Sequence, residues 1–260
     1  MARAFLVVMD SVGIGGAPDA HGFFNGTVPD SGANTIGHIA QACTEGRADE
    51  GRYGHLNVPH MMAMGLGRAV ELASGVRIHG WDRPVTGAWG AATEISRGKD
   101  TPSGHWELAG LPVPWAWHYF DDVTNSFSDD LVNQLASLAG TTGILGNCHA
   151  PGTAIIEELG AQHIASGLPI CYTSADSVLQ IAAHEQSFGL ARLLDLCARV
   201  APVVHEMKVG RVIARPFSGS AEAGFVRTPN RRDFAITPPG PVLSNWVQDA
   251  GRRTYAVGKI

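Results

Sequence analysis

The sequence predicts an α/β protein of two modules, the second inserted into the first. Three observations predict it. An apolar run, Phe5 to Met9, ends in Asp10 and the glycine-bearing turn Gly13-Ile14-Gly15. Strand-like and helix-like pieces alternate from Ile144 to Ala214. A proline-rich linker, Pro238-Pro239-Gly240-Pro241, then precedes a return to the first module. A continuous apolar run is the pattern of a strand buried on both faces, and βα alternation is the pattern of layered α/β modules.

Taken in order, Phe5 to Met9 is expected as a buried strand with Asp10 at its C-terminal end, where open α/β sheets place ligands. Residues 17–31, rich in Gly, Pro and Asp, read as loop. Asn34 or Thr35 caps a helix carrying Ile36, Ile39, Ala40 and Cys43 at helical spacing. Residues 44–55 are polar, Pro59 opens a short helix ending near Gly65, and residues 74–84 are loop-like. A β-prone run, Ala88 to Ile95, leads to a helix in which Thr101 is the cap and Pro102 the first residue. The aromatic, proline-broken run from Pro114 to Phe120 reads as a crossover. Ser126 or Ser128 caps a helix with Leu131, Leu135 and Leu138 on one face, and Asp129-Asp130 suit its first turn. The alternating pieces follow: Ile144 to Gly146, Thr153 to Leu159, Pro169 to Tyr172, Ser177 to His184, Leu190 to His205 and Arg211 to Ala214. A helix over Val242 to Ala250 and a strand over Thr254 to Val257 are expected to close the chain.

Composition narrows the function classes. In 260 residues, 45% are hydrophobic and 17% charged, the balance of an ordinary globular protein. A net charge of −5 with no basic run argues against a nucleic-acid surface. Arg211, Arg215, Arg227, Arg231 and Arg232 nevertheless gather late in the chain, which suits either scattered surface charge or a pocket for an anionic substrate. Four cysteines lack zinc or redox spacing. No stretch approaches membrane-spanning length, no signal-peptide pattern precedes the first run, and the expected setting is a reducing cytoplasm.

Two stretches carry chemistry. Lys99-Asp100-Thr101-Pro102 sets a hydroxyl at the positive end of a helix beside an ammonium group, an arrangement that favours a phosphate. Asp10 offers a hard oxygen ligand at a strand end. Together they suggest metal-assisted phosphoryl chemistry. A plain helix cap and a core strand followed by a loop carboxylate account for the same residues, and both alternatives stand on these stretches alone.

The order of motifs goes further. Asp10-Ser11-Val12-Gly13-Ile14-Gly15, Lys99-Asp100-Thr101 with Ser103-Gly104-His105-Trp106-Glu107, Tyr172-Thr173-Ser174-Ala175-Asp176-Ser177, Gly210-Arg211-Val212-Ile213-Ala214-Arg215-Pro216-Phe217 and Arg227-Thr228-Pro229-Asn230-Arg231 occur in succession. In these the chain resembles the N-terminal part of the phosphopentomutase family, in the alkaline phosphatase superfamily, from its first strand-like run to Val257-Gly258-Lys259-Ile260. The resemblance implies a partial alkaline-phosphatase-like core over residues 1–115, an inserted α/β cap over 116–235 that binds substrate, and a return into the core over 236–260.

The implied reaction interconverts ribose 1-phosphate and ribose 5-phosphate, or the deoxyribose equivalents. It runs through a phosphorylated threonine and two divalent metal ions, usually Mn2+, with a sugar bisphosphate as activator. Thr101 matches the threonine, at once nucleophile and metal ligand, and Asp10 the N-terminal metal ligand. Ser174, Asp176, Arg211, Ile213 and Arg227 match substrate contacts. Neither nucleic acid nor membrane is an implied partner. His149 and His184 read as structural histidines.

Arg232 departs from a frequent histidine. The family's remaining metal ligands lie beyond the position of Ile260, so this chain is expected to lack most of the metal site and to be inactive alone. Two other classes fit some of the features: a short phosphosugar-binding protein without catalysis, and another mutase or phosphatase of the same superfamily.

Overall fold

The structure is a computed structural model and describes residues 3–9, 11–25, 27–97 and 100–258. Two compact units divide the chain, one up to Glu94 and one from Ile95 onward.

The first unit is helical around a small core. A two-residue antiparallel pair, β1 (Phe24–Asn25) and β2 (Val28–Pro29), precedes α1 (Thr35–Thr44), α2 (Pro59–Met64) and α3 (Leu66–Ser74). Asn34 caps α1, its side-chain oxygen accepting from Gly37 N–H at 3.0 Å, and its amide donates to Ser74 Oγ at 3.0 Å. Gly65, at φ +105°, makes the break between α2 and α3; a Cβ there would also overlap Trp89. Ile36, Ala40, Met62, Val70, Ile78 and Trp81 form the core. α3 has no counterpart among the elements the sequence predicts.

Three expected strands are not formed. Residues 5–9 are irregular, with Phe5 81% and Val7 80% exposed. The β-prone run 88–95 and residues 254–257 are irregular as well. A strand exists only against a neighbour that takes its backbone hydrogen bonds. Among the described residues no strand lies beside any of these runs, so apolar composition alone does not order them.

The second unit holds a six-stranded mixed sheet. Its elements are α4 (Thr101–Leu108), α5 (Asp129–Ala139), β3 (Leu145–His149), α6 (Gly152–Ser166), β4 (Ile170–Thr173), β5 (Val178–His184), α7 (Leu190–Glu206), β6 (Arg211–Ser220), β7 (Gly224–Arg227), β8 (Arg232–Ala235) and α8 (Leu243–Asp249). Of the two candidates, Ser126 and Ser128, it is Ser128 that caps α5. The order is β3-β4-β5-β6, with β7 and β8 pairing the far and near ends of β6.

β3–β4 and β5–β6 are parallel, with a helix in each connection, α6 and α7. β4–β5 is antiparallel because only Ser174 to Ser177 join them, too few for a crossover. One face packs on α5 and α7 through Cys171, Leu179, Ile181, Val212 and Ala214. The other packs on α6 through Ile170, Tyr172, Ala182 and Phe217, against Ile155 and Ile156. No helix of the described residues is long and apolar enough to cross a membrane.

His163 of α6 is fully buried and bonded at both ring nitrogens. Nδ1–H donates to the Leu168 carbonyl at 2.6 Å, and Nε2 accepts from His184 N–H at 2.9 Å. His184 and His149 likewise bond backbone groups, the structural role expected of them. Burial holds the His163 pKa below its ordinary 6.5. Because the folded value is depressed, the neutral ring stabilises the fold above pH 6.5, and that contribution is lost as the pH falls below it. The stability advantage of the parent over His163→Asn is therefore expected to shrink between pH 7.5 and 5.5 in urea titrations. An advantage that does not change with pH would refute this.

Candidate active site

Thr101 reaches its place through a packed tryptophan cluster. Trp106 of α4 meets Trp115 and Trp117 with ring centroids 5.8–5.9 Å apart. Trp117 Nε1–H donates to buried Ser103 Oγ at 2.6 Å. Glu107 tethers the entering chain, accepting from Ile95 N–H at 2.6 Å and Ser96 N–H at 2.7 Å. His118 N–H donates to the Lys208 carbonyl at 3.0 Å, joining this layer to the turn that leads into β6. The head of α4 is thereby fixed beside the first residue of β6.

The cap differs by one residue from the sequence expectation. Asp100, extended at φ −156° and ψ 155°, is the capping position, and Thr101 and Pro102 are the first two helical residues. The Asp100 side chain does not turn inward to cap the helix, because it is bound elsewhere. Arg211 Nε lies 3.1 Å from Asp100 Oδ1, and Arg211 Nη2 lies 3.4 Å from Oδ2, a two-pronged ion pair. The Asp100 side chain is wholly buried, and only 9% of that of Arg211 is exposed. Burial pushes the Asp100 carboxyl up to about 6, against the opposing pull of the Arg211 charge.

Two further carboxylates stand near this guanidinium: Asp233 Oδ2 at 3.5 Å from Nη1, and Asp176 Oδ2 at 3.9 Å from Nη2. Asp233 also holds Arg231 at 2.7 and 2.8 Å. Asp100, Asp176, Arg211 and Asp233 thus form one cluster, with Thr101 next along the chain from Asp100. Ser174 stands on the same β4–β5 turn as Asp176, half-buried. Ile213, two residues along β6 from Arg211, is buried between its strand partners Gln180 and Asp233.

Arg227 belongs to the other end of the same sheet face. It pairs with Phe217, six residues along β6 from Arg211, or about 20 Å at the usual strand rise. Its surroundings are the head of α6 and Tyr172. A Cβ at Gly152 would overlap both the Tyr172 hydroxyl and the Arg227 guanidinium, so glycine is required there for close approach. The Tyr172 hydroxyl is buried with no hydrogen-bond partner among the described residues, and burial raises its pKa against the nearby charges of Arg215, Arg227 and Arg231. Arg215 Nε donates to Gln180 Oε1 at 2.9 Å.

The roles of Asp100, Asp233 and Tyr172 are not legible in the sequence. Asp100 and Tyr172 lay inside the motifs, but nothing local reveals a partner 111 residues away or a hydroxyl beneath arginines.

Asp10 and Lys99 lie outside the described residues. Among the described residues, no group of three or more His, Cys, Asp or Glu is placed to hold a metal ion.

No family model matches the chain. Curated relatives do. The phosphopentomutases of Sinorhizobium medicae (strain WSM419) and Methylobacterium sp. (strain 4-46) are each 54% identical to it over 264 aligned positions. The chain is homologous to phosphopentomutases along its entire length. The phosphopentomutase of Rhizobium meliloti (strain 1021) is 53% identical over the same span. In all three the alignment covers 100% of this chain and 64% of the relative, so the chain spans about two-thirds of the length of these isomerases.

Proposed function

We propose that this chain carries the phosphothreonine and sugar-phosphate-binding portion of a phosphopentomutase. The whole enzyme interconverts ribose 1-phosphate and ribose 5-phosphate, or their deoxyribose counterparts, in the cytoplasm. The observation that carries the reading is 54% identity to enzymes of that name across every part of the chain. In this reading, residues 1–115 and 236–260 belong to an alkaline-phosphatase-like core and residues 116–235 form the inserted cap.

The chemistry follows from the residue types. Phosphorylated Thr101 gives its phosphoryl group to the sugar hydroxyl that lacks one, forming a bisphosphate; a phosphoryl group from the other end then returns to Thr101. A sugar bisphosphate loads Thr101 at the start. A threonine hydroxyl is a weak nucleophile at neutral pH, and two divalent ions, manganese in this reading, would supply the activation when bound. Asp10 and Thr101 are the residues of this chain that would hold them. Arg211 and Arg227 hold phosphate, while Ser174 and Asp176 bond ribose hydroxyls beside Ile213.

Calorimetry tests the binding half. A charge-assisted pair contributes roughly 1.5–3 kcal/mol, and Arg211 and Arg227 stand at opposite ends of β6, so a single arginine on the phosphate supports a dissociation constant in the millimolar range or weaker. Ribose 5-phosphate is expected to bind the chain in that range, and ribose, without a phosphate, to show no saturation. Equal binding of both sugars would count against a phosphate-reading site.

A further inference from the structure

We propose that Asp100 is a positioning residue: it grips the inner edge of Arg211 and ties the head of the Thr101 helix to an anion held on that guanidinium's outer edge. The inference rests on the reading that Arg211 meets the substrate phosphate, and it deepens that reading by naming what aims the arginine.

The two edges of Arg211 are held unequally. On the inner edge, Nε and Nη2 meet both oxygens of Asp100 at 3.1 and 3.4 Å, with the carboxylate wholly buried. Letting go of Arg211 would leave a buried charge without its partner, so this edge does not exchange readily.

The outer edge is looser. Asp233 stands at 3.5 Å from Nη1 and is partly exposed. Asp233 has a better partner in Arg231, which meets both its oxygens at 2.7 and 2.8 Å. A phosphate oxygen arriving at Nη1 therefore displaces a weakly held carboxylate that already has another cation. The guanidinium suits such double service because its fork presents donors on two edges in one plane.

Asp100 also immediately precedes Thr101, and its carbonyl accepts from Ser103 N–H at 3.1 Å in the first turn of α4. Gly210 keeps the far side close, since a Cβ there would lie 3.1 Å from the Asp100 carboxyl carbon. A movement of Arg211 is thus transmitted to the backbone that carries the Thr101 hydroxyl. Anion and nucleophile are held at a fixed separation by one rigid ion pair, which is what orientation of two reacting groups requires.

Titrating the chain with inorganic phosphate while following backbone amides by NMR tests this. In the parent, amides of residues 211–213 and those of Thr101, Ser103 and Gly104 are expected to shift together with one dissociation constant. In Asp100→Asn the 211–213 response should persist, and that at 101, 103 and 104 should fall at least fivefold. Arg211→Lys keeps the charge but not the two-pronged grip; it should uncouple the segments in the same way and stands in if the asparagine variant does not fold. An undiminished response at 101, 103 and 104 in both variants would mean that phosphate acts on the helix head directly, and would overturn the inference while leaving the Arg211 reading intact. A parent with no response at 211–213 would overturn both.

Discussion

In a chain spanning the full length of its phosphopentomutase relatives, Thr101→Ala is expected to lower pentose-phosphate interconversion to below about one-thousandth of the parent rate, the scale on which losing a covalent nucleophile acts. Alanine is a good helix former, and Thr101 is the first residue of α4 rather than its cap, so the helix should survive the change. The packing that fixes α4 comes from Trp106, Ser103 and Glu107, none of which the substitution touches. Ribose 5-phosphate binding should remain within about threefold of the parent, since Arg211 and Arg227 are unaltered. A coupled assay for the interconversion, read beside a calorimetric titration, separates the two quantities. Activity near the parent level would reduce Thr101 to a helix residue and require a different nucleophile.

Arg211→Met should cost about 3 kcal/mol of folding stability at pH 7.5, toward the low end for breaking a buried ion pair. Methionine keeps an apolar stem but not the guanidinium, so the loss is chiefly that of the ion pair. Asp100, wholly buried, is left without its counter-ion. The figure stays at the low end because the Asp100 carboxyl, already pushed up to about 6 by burial, takes up a proton once the guanidinium is gone. Adding Asp100→Asn to Arg211→Met removes the stranded carboxylate and should recover most of the loss. Urea unfolding of the parent, both single variants and the double variant supplies the cycle. A loss below about 1 kcal/mol in Arg211→Met would show that the pair contributes little and that the turn packing alone holds α4 against β6.

Local chemistry made much of the fold legible in the sequence. The Asn34 and Ser128 caps, the proline opening α2, and the Leu131–Leu135 face of α5 are as expected, because each depends on residues within a turn or two of itself. The strands from Ile170 to Thr173 and from Val178 to His184 are as expected too, since their sides are filled by elements adjacent in sequence, α6 and α7. The homology was also legible, because an ordered string of short motifs survives without any knowledge of contacts.

Pairing is what the sequence left open. Phe5 to Met9 is as apolar as any strand of the sheet and yet forms none, since a ladder needs a neighbour and the run cannot specify one by itself. The candidate site has the same character. By itself the sequence determined which residue types are present: a threonine at a helix head, aspartates and arginines in quoted motifs. Only the tertiary structure decided that Arg211 meets Asp100 across 111 positions while Arg227 lies with Tyr172 at the opposite end of β6. The reason is physical. Side-chain identity fixes what a group can bind, but distance and burial fix which partner it has, and both arise from strand register and helix packing, which no single segment encodes.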